Sequence, residues 1–270
     1  MDWFALLAAL VAVGFLAGFV GGLFGVGGGL VIVPALYHLF TVLGAAEAVR
    51  AHAAVGTSLA VIILTSLRSL GAHRAKGAVD AAVLRGWGPW IALGGALGAG
   101  LASLVSGEAL LGVFGCVALL IAGQIGFGRS DWRLAAALPV GWLRAGLGAG
   151  LGLLSALMGV GGGALGVTLM TLCGRPIHQA VATASGFGVL IAAPSALGFA
   201  VLGWAEPGLP PFSAGYVNLP GFVVLSALTV ITAPLGARLA HRLDQLMLRR
   251  LFAAFLALTA LNLLREAFSQ

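Results

Sequence analysis

Gly25-Val26-Gly27-Gly28-Gly29 recurs 134 residues later as Gly159-Val160-Gly161-Gly162-Gly163. Each copy stands between a long apolar run and a short one. Runs 3–24 and 28–43 flank the first copy, and runs 136–158 and 162–173 flank the second. Consecutive glycines weaken a helix by about 1 kcal/mol each relative to alanine, so both copies read as breaks in a helical backbone. Irregular backbone at membrane depth is tolerated where protein buries it or where it lines a wet cavity. A helix that restarts after a break presents unbonded N–H groups and the positive end of its dipole, an anion site that needs no buried lysine. Close helix packing also favours glycine and is the plainer reading of one copy; two copies before two short segments favour a functional break.

The rest of the chain places these breaks in a membrane. Sixty per cent of its 270 residues are hydrophobic and 8% are charged, against about 25% charged in soluble domains. So few charges cannot coat a soluble domain, and disorder needs the opposite composition. Further apolar stretches run over 51–70, 87–105, 110–127, 179–203, 219–237 and 247–265, most of them long enough to cross a hydrocarbon core. Glycine supplies 43 residues, which suits helices packed through small side chains. The net charge of +6 rests on cations scattered between apolar runs, so a lipid surface and not nucleic acid is the expected partner. Asp2 opens the chain and the first cation is Arg50, unlike a cleaved secretory signal; the first run reads as a retained membrane segment.

Two further matches support a duplication. Val55-Gly56-Thr57-Ser58 has an echo in Ala182-Thr183-Ala184-Ser185, and Gly98-Ala99 with Phe114 matches Gly236-Ala237 with Phe252. Lys and Arg favour cytoplasmic loops. Connections 71–86, 128–135, 174–178 and 238–250 hold ten of the fourteen. Alternate threading puts all four on one side and leaves Glu108 and Glu206 on the other. Equivalent loops of the two halves then face opposite ways. The expected fold is an all-α polytopic membrane protein of two inverted-topology repeats of about five helical segments each, with glycine-broken helices. The N-terminal repeat covers 1–134 and the C-terminal repeat 135–270. Inverted repeats typify secondary transporters. Whether 28–43 and 162–173 span or re-enter is open, because two crossings and none have the same parity.

Candidate substrate-binding residues are Gly28, Gly29, Gly162 and Gly163 through their backbone, and Thr57, Ser58, Thr183 and Ser185 through hydroxyls. A hydroxyl can donate to an anion without a buried charge or bond back to its own helix carbonyl. Arg68 and Arg144 lie inside apolar stretches and are candidates for gating or anion attraction, or they snorkel. His52 and His178 begin roughly equivalent segments, either as proton relays or as helix-end anchors. Asn218 and Pro220 are expected to open a helix. Cys116 and Cys173 read as small packing residues, and no metal spacing is present. Gly161 to Gly166 fits GxGxxG by spacing, but membrane segments flank it where a dinucleotide site needs a strand. GxxxG pairs at Gly94, Gly146 and Gly148 imply tight crossings and leave a homodimer open. No catalytic set or cofactor motif is present, so no enzyme is expected.

Gly21-Gly22-Leu23-Phe24-Gly25-Val26-Gly27-Gly28-Gly29 with Val33-Pro34, then Val55-Gly56-Thr57-Ser58, then His73-Arg74-Ala75-Lys76-Gly77, resembles the TauE/SafE sulfite exporter family. The second GVGGG and the stretch from Ala182 to Ser185 look like that family's second repeat. The resemblance covers nearly the whole chain. It implies a multi-pass permease of the bacterial inner membrane, exporting sulfite, sulfonates such as sulfoacetate, or other small organic anions. The alternative functions are transport of a cation or neutral solute, for which membrane-embedded Asp or Glu would be expected, and a non-transporting membrane-embedded subunit or enzyme.

Overall fold

Residues 3–24, 28–127, 135–240 and 245–268 are described by the computed structural model. Gly25, Val26, Gly27, Arg129, Arg133 and Arg242 lie outside them. Ten α-helices make up most of the described chain. They are α1 (Trp3–Phe24), α2 (Gly29–Val42), α3 (Glu47–Ala75), α4 (Ala81–Ala102), α5 (Gly107–Phe127), α6 (Gly141–Leu157), α7 (Gly163–Leu172), α8 (Ile177–Leu202), α9 (Leu219–Ala240) and α10 (Gln245–Phe268). Among the described residues, five segments are long and apolar enough to cross a membrane: Glu47–Ala75, Gly107–Phe127, Ile177–Leu202, Leu219–Gly236 and Arg250–Phe268. Large apolar side chains such as Leu120, Leu258 and Trp142 stay exposed, as lipid-facing residues must. The chain is a multi-pass membrane protein.

The apolar stretches anticipated most of these elements, but α3 extends past its run at both ends. Glu47, Arg50, His73 and Arg74 lower the hydropathy there without breaking the helix. A two-stranded hairpin pairs β1 (Ser213–Ala214) with β2 (Val217–Asn218) inside the connection after α8. Its two-residue strands left no readable pattern in the sequence.

Glycines set the helix pairings. Gly14, Gly18 and Gly22 of α1 lie against Leu228, Thr229 and Ala233 of α9, so these two helices run parallel. Gly148 of α6 meets Trp90 of α4, and Gly98 of α4 meets Leu153 and Ala156 of α6, again in parallel. Two other pairs are antiparallel. Gly56 of α3 faces Phe199 and Gly188 of α8 faces Ser66. Gly115 of α5 faces Leu264 of α10, and Gly126 faces Ala253. No large side chain fits such seams, and close backbone approach supplies the packing that water would drive in a soluble protein.

The bundle has two chemically different ends. At one, the Ala46 N–H donates to the Gly208 carbonyl at 3.0 Å, and Glu47, Glu108 and Glu206 gather around a shared cavity. At the other, Asp80 caps α4 and lies 3.6 Å from Arg175, near the end of α3 that carries His73 and Arg74. We call these the acidic and basic ends. At 1.5 Å per residue α2 is about 21 Å long and α7 about 15 Å, short of the roughly 30 Å hydrocarbon core. Helix α2 leads into α3 at the acidic end, and α7 leads into α8 at the basic end. Each therefore begins within the thickness of the bundle.

Candidate functional site

The start of α2 meets the glycine break that leads into α7. Gly28 caps α2 in the left-handed region, with φ 79°, a conformation that costs a side-chain-bearing residue roughly 1–2 kcal/mol. Its carbonyl accepts the Val31 and Ile32 N–H groups at 2.9 and 3.0 Å. A methyl on Gly29 would stand 2.7 Å from the Gly159 carbonyl oxygen and 3.0 Å from the Val160 Cα. The two broken backbones thus touch where glycine alone leaves room. On the other side, Gly162 caps α7, and a methyl there would stand 2.6 Å from the Phe187 Cβ.

One side chain bridges both tips. Ile62, fully buried, puts its Cδ1 3.1 Å from the Cβ position of Gly29 and its Cγ2 3.0 Å from that of Gly161. Ser66 packs on Gly188 close by, and Gly162 N lies 3.9 Å from the Gly188 Cβ position. An isoleucine in an apolar run gave no sign of this position. The first N–H groups of α2 and α7 have no intrahelical acceptor by the geometry of a helix start, and Ile62 packs beside the Gly29 that begins α2 and the Gly161 that precedes α7.

The hydroxyls divide by role. Ser58 Oγ donates to the Gly159 carbonyl at 2.7 Å, tying α3 to the second tip. Thr57 Oγ1 accepts the Asn218 N–H at 2.8 Å, and Asn218 in turn caps α9 through Gly221 N–H at 2.9 Å. Thr183 Oγ1 accepts the Asp80 N–H at 3.0 Å, and Asp80 caps α4 through the Ala82 and Val83 N–H groups. The two threonines therefore do the same work for two helices. They stand about 20 Å apart along the α3–α8 seam, counted at 1.5 Å per residue. Ser185 Oγ donates to Ala182 in its own helix at 2.6 Å. Gly28, Gly29, Ser58 and Gly162 are thus gathered at the tips with Gly163 at the start of α7, while Thr57, Thr183 and Ser185 are engaged elsewhere.

The sequence model of the sulfite exporter family TauE/SafE matches residues 10–263. The chain belongs to the TauE/SafE sulfite exporter family. It is 32% identical over 265 residues to a probable membrane transporter protein of Haemophilus influenzae, covering 97% of this chain and 99% of that one. It is 26% identical over 282 residues to a probable membrane transporter protein of Methanocaldococcus jannaschii, covering 97% of each. A 71-residue stretch is 49% identical to the probable membrane transporter protein YunE of Bacillus subtilis, over 26% of each chain. No solved structure matches.

In this TauE/SafE chain the two arginines within apolar stretches differ. Arg68 is exposed on α3. Arg144, on the first turn of α6, is half-buried and lays its guanidinium on α4, with Nη1 2.9 Å from the Cβ position of Gly86. Its Nε is buried without a hydrogen-bond partner among the described residues. Neither arginine packs on the glycine tips. His178 is exposed, whereas His52 is buried and bonded to α4. Sequence reasoning missed Ile62, Ser66 and the capping role of Asp80. Only Asp80 carried a signal, an acid just before an apolar run.

Proposed function

We propose that this membrane transporter exports small anions, with sulfite, sulfoacetate or related sulfonates as substrates, by alternating access and without catalysing a reaction. The contact of Gly29 with Gly159 carries the reading, because it brings the start of α2 against the backbone break that leads into α7, and helix starts favour an anion. Gly28, Gly29, Gly162 and Gly163 hold the anion's oxygens. Thr57, Thr183 and Ser185 fix the surrounding helices, and Ser58 swings from Gly159 to the substrate as the tips part. Ile62 fills the space between the tips, so the anion enters only when the halves 1–134 and 135–270 rock apart. Their inverted relation is supported by the reciprocal pairings, α1 with α9 and α6 with α4, and by the antiparallel contacts of α3 with α8 and α5 with α10. Arg68 and Arg144 draw anions toward the basic end, which the positive-inside rule places in the cytoplasm.

Export needs no ATP. With the interior negative, a monoanion gains about 2.3 kcal/mol per 100 mV on leaving. Proteoliposomes loaded with labelled sulfite or sulfoacetate should show saturable efflux that rises with an outward-driving potential. Absence of such efflux for every small anion tried would sink the proposal. Gly29→Ala, whose methyl must displace the Gly159 carbonyl, should slow this efflux by about tenfold or more while the protein still inserts, a loss of about 1.4 kcal/mol at the site. The acid-lined end favours one other reading, a cationic solute, and labelled cations in the same vesicles distinguish it.

A further inference from the structure

The cavity at the acidic end is separate from the glycine tips. It holds about 490 Å3, and Tyr37, Glu47, His52, Glu108, Glu206 and Tyr216 are among its lining residues. His52 is 4% exposed. Its Nδ1 lies 3.1 Å from the Ala48 carbonyl oxygen, and its Nε2 lies 2.9 Å from that of Ala102 and 3.2 Å from that of Val105. A neutral imidazole has one N–H, so one nitrogen would meet a carbonyl oxygen lone pair to lone pair. A second proton lets both nitrogens donate.

Two further groups face the same ring. Ala102 is the last residue of α4, and the C-terminal carbonyls of a helix attract a cation. The Tyr216 ring stacks on the imidazole, with centroids 5.0 Å and planes 27° apart, a face that also attracts cations. Charged and titratable groups reach this end from several elements. Glu47 comes from α3 itself, Glu108 from α5, Glu206 from the connection after α8, Tyr37 from α2 and Tyr216 from the hairpin. Arg50 turns away to the Ala45 carbonyl and Thr41, and Glu266 of α10 pairs with His38 at 3.5 Å. No charged side chain of α4, α8 or α9 is among the described lining residues.

We propose that His52 is a proton-binding site of this transporter, filled through the acid-lined cavity, and that its proton controls the transport rate. The proton adds to the free lone pair of the neutral ring; no bond breaks and no other reactant is consumed. Protonated, His52 donates within α3 and to the end of α4 at once, which the neutral ring cannot do. Helix α3 also carries Ser58, which holds the second glycine tip, so the proton tightens or frees the helix that must move. The control of rate rests on the transport reading above; proton binding by His52 does not.

Two measurements test it on the full chain. In lipid nanodiscs, ring-nitrogen NMR of the histidine-labelled protein should show His52 passing from one to two protonated nitrogens between about pH 8 and pH 5. The signal is assigned by its loss in His52→Gln or, should that variant not fold, by removing the other four histidines in turn. A His52 ring that stays neutral throughout overturns the proposal. In proteoliposomes at clamped potential, sulfoacetate efflux should change about threefold or more when external pH is stepped across that range. His52→Gln should flatten this response, and His178→Gln should keep it. An unchanged response in His52→Gln, or none in the wild type, overturns the proposal. If no anion moves at all, the export reading fails, and the NMR titration still decides whether His52 binds a proton.

Discussion

Thr57 and Thr183 each offer a buried hydroxyl oxygen to the backbone N–H of a residue that caps the next helix, Asn218 in one case and Asp80 in the other. Removing one acceptor leaves a buried N–H unpaired, a loss of about 1–3 kcal/mol. Thr57→Val and Thr183→Val should therefore both lower the melting temperature in detergent, and Thr→Ser at either position should restore most of it. Equal melting of the valine and wild-type proteins would show that these bonds contribute nothing. The sequence marked both threonines, because a hydroxyl in an apolar run stands out. It could not say which partner each one takes, since Thr57 and Asn218 are 161 residues apart. Ser58 is the same case at 101 residues, and Ile62 stood out in no way at all.

Among the elements, the brevity of α2 and α7 was legible because three glycines stop a helix wherever it lies. The depth of their starts was not, because parity leaves crossing and re-entry equivalent. Gly28 packs on the Ala17 carbonyl within α1, and Gly159 packs on Val55 and Val33, so these two glycines sit among helices. Val160, 2% exposed at the second tip, gives a direct check. In a background lacking Cys116 and Cys173, Val160→Cys should resist a membrane-impermeant maleimide applied from either side, while Lys76→Cys reacts from one side only. Rapid labelling of Val160→Cys in the resting protein would place that tip at a surface and remove the buried anion site. The β1–β2 hairpin lay beyond sequence reading for a different reason. Tyr216 enters the bundle through its backbone, with its N–H on the Phe199 carbonyl at 3.2 Å, and backbone bonds leave no trace in side-chain pattern.

Over the whole molecule, charge and repetition spoke before any contact was known. Glu47, Glu108 and Glu206 share one end and Asp80 with Arg175 the other, as the loop charges had arranged them. What the sequence lacked was the set of partners: that α5 crosses to α10 and α3 to α8 depends on which glycines face which neighbours. If the proposed halves rock, a bond across α5 and α10 should stop them. Gly126 offers the place, since a Cβ there would stand 3.3 Å from the Ala253 Cβ, near the roughly 3.8 Å separation of disulfide-linked Cβ atoms. Gly126→Cys with Ala253→Cys, again without the native cysteines, should transport normally when reduced and lose about tenfold or more of its efflux when oxidised, a rise of about 1.4 kcal/mol or more in the barrier. Reductant should restore it. Full efflux from completely cross-linked protein would mean that α5 and α10 keep their contact throughout the cycle, and motion would then have to be confined to the hairpins that carry Gly29 and Gly162.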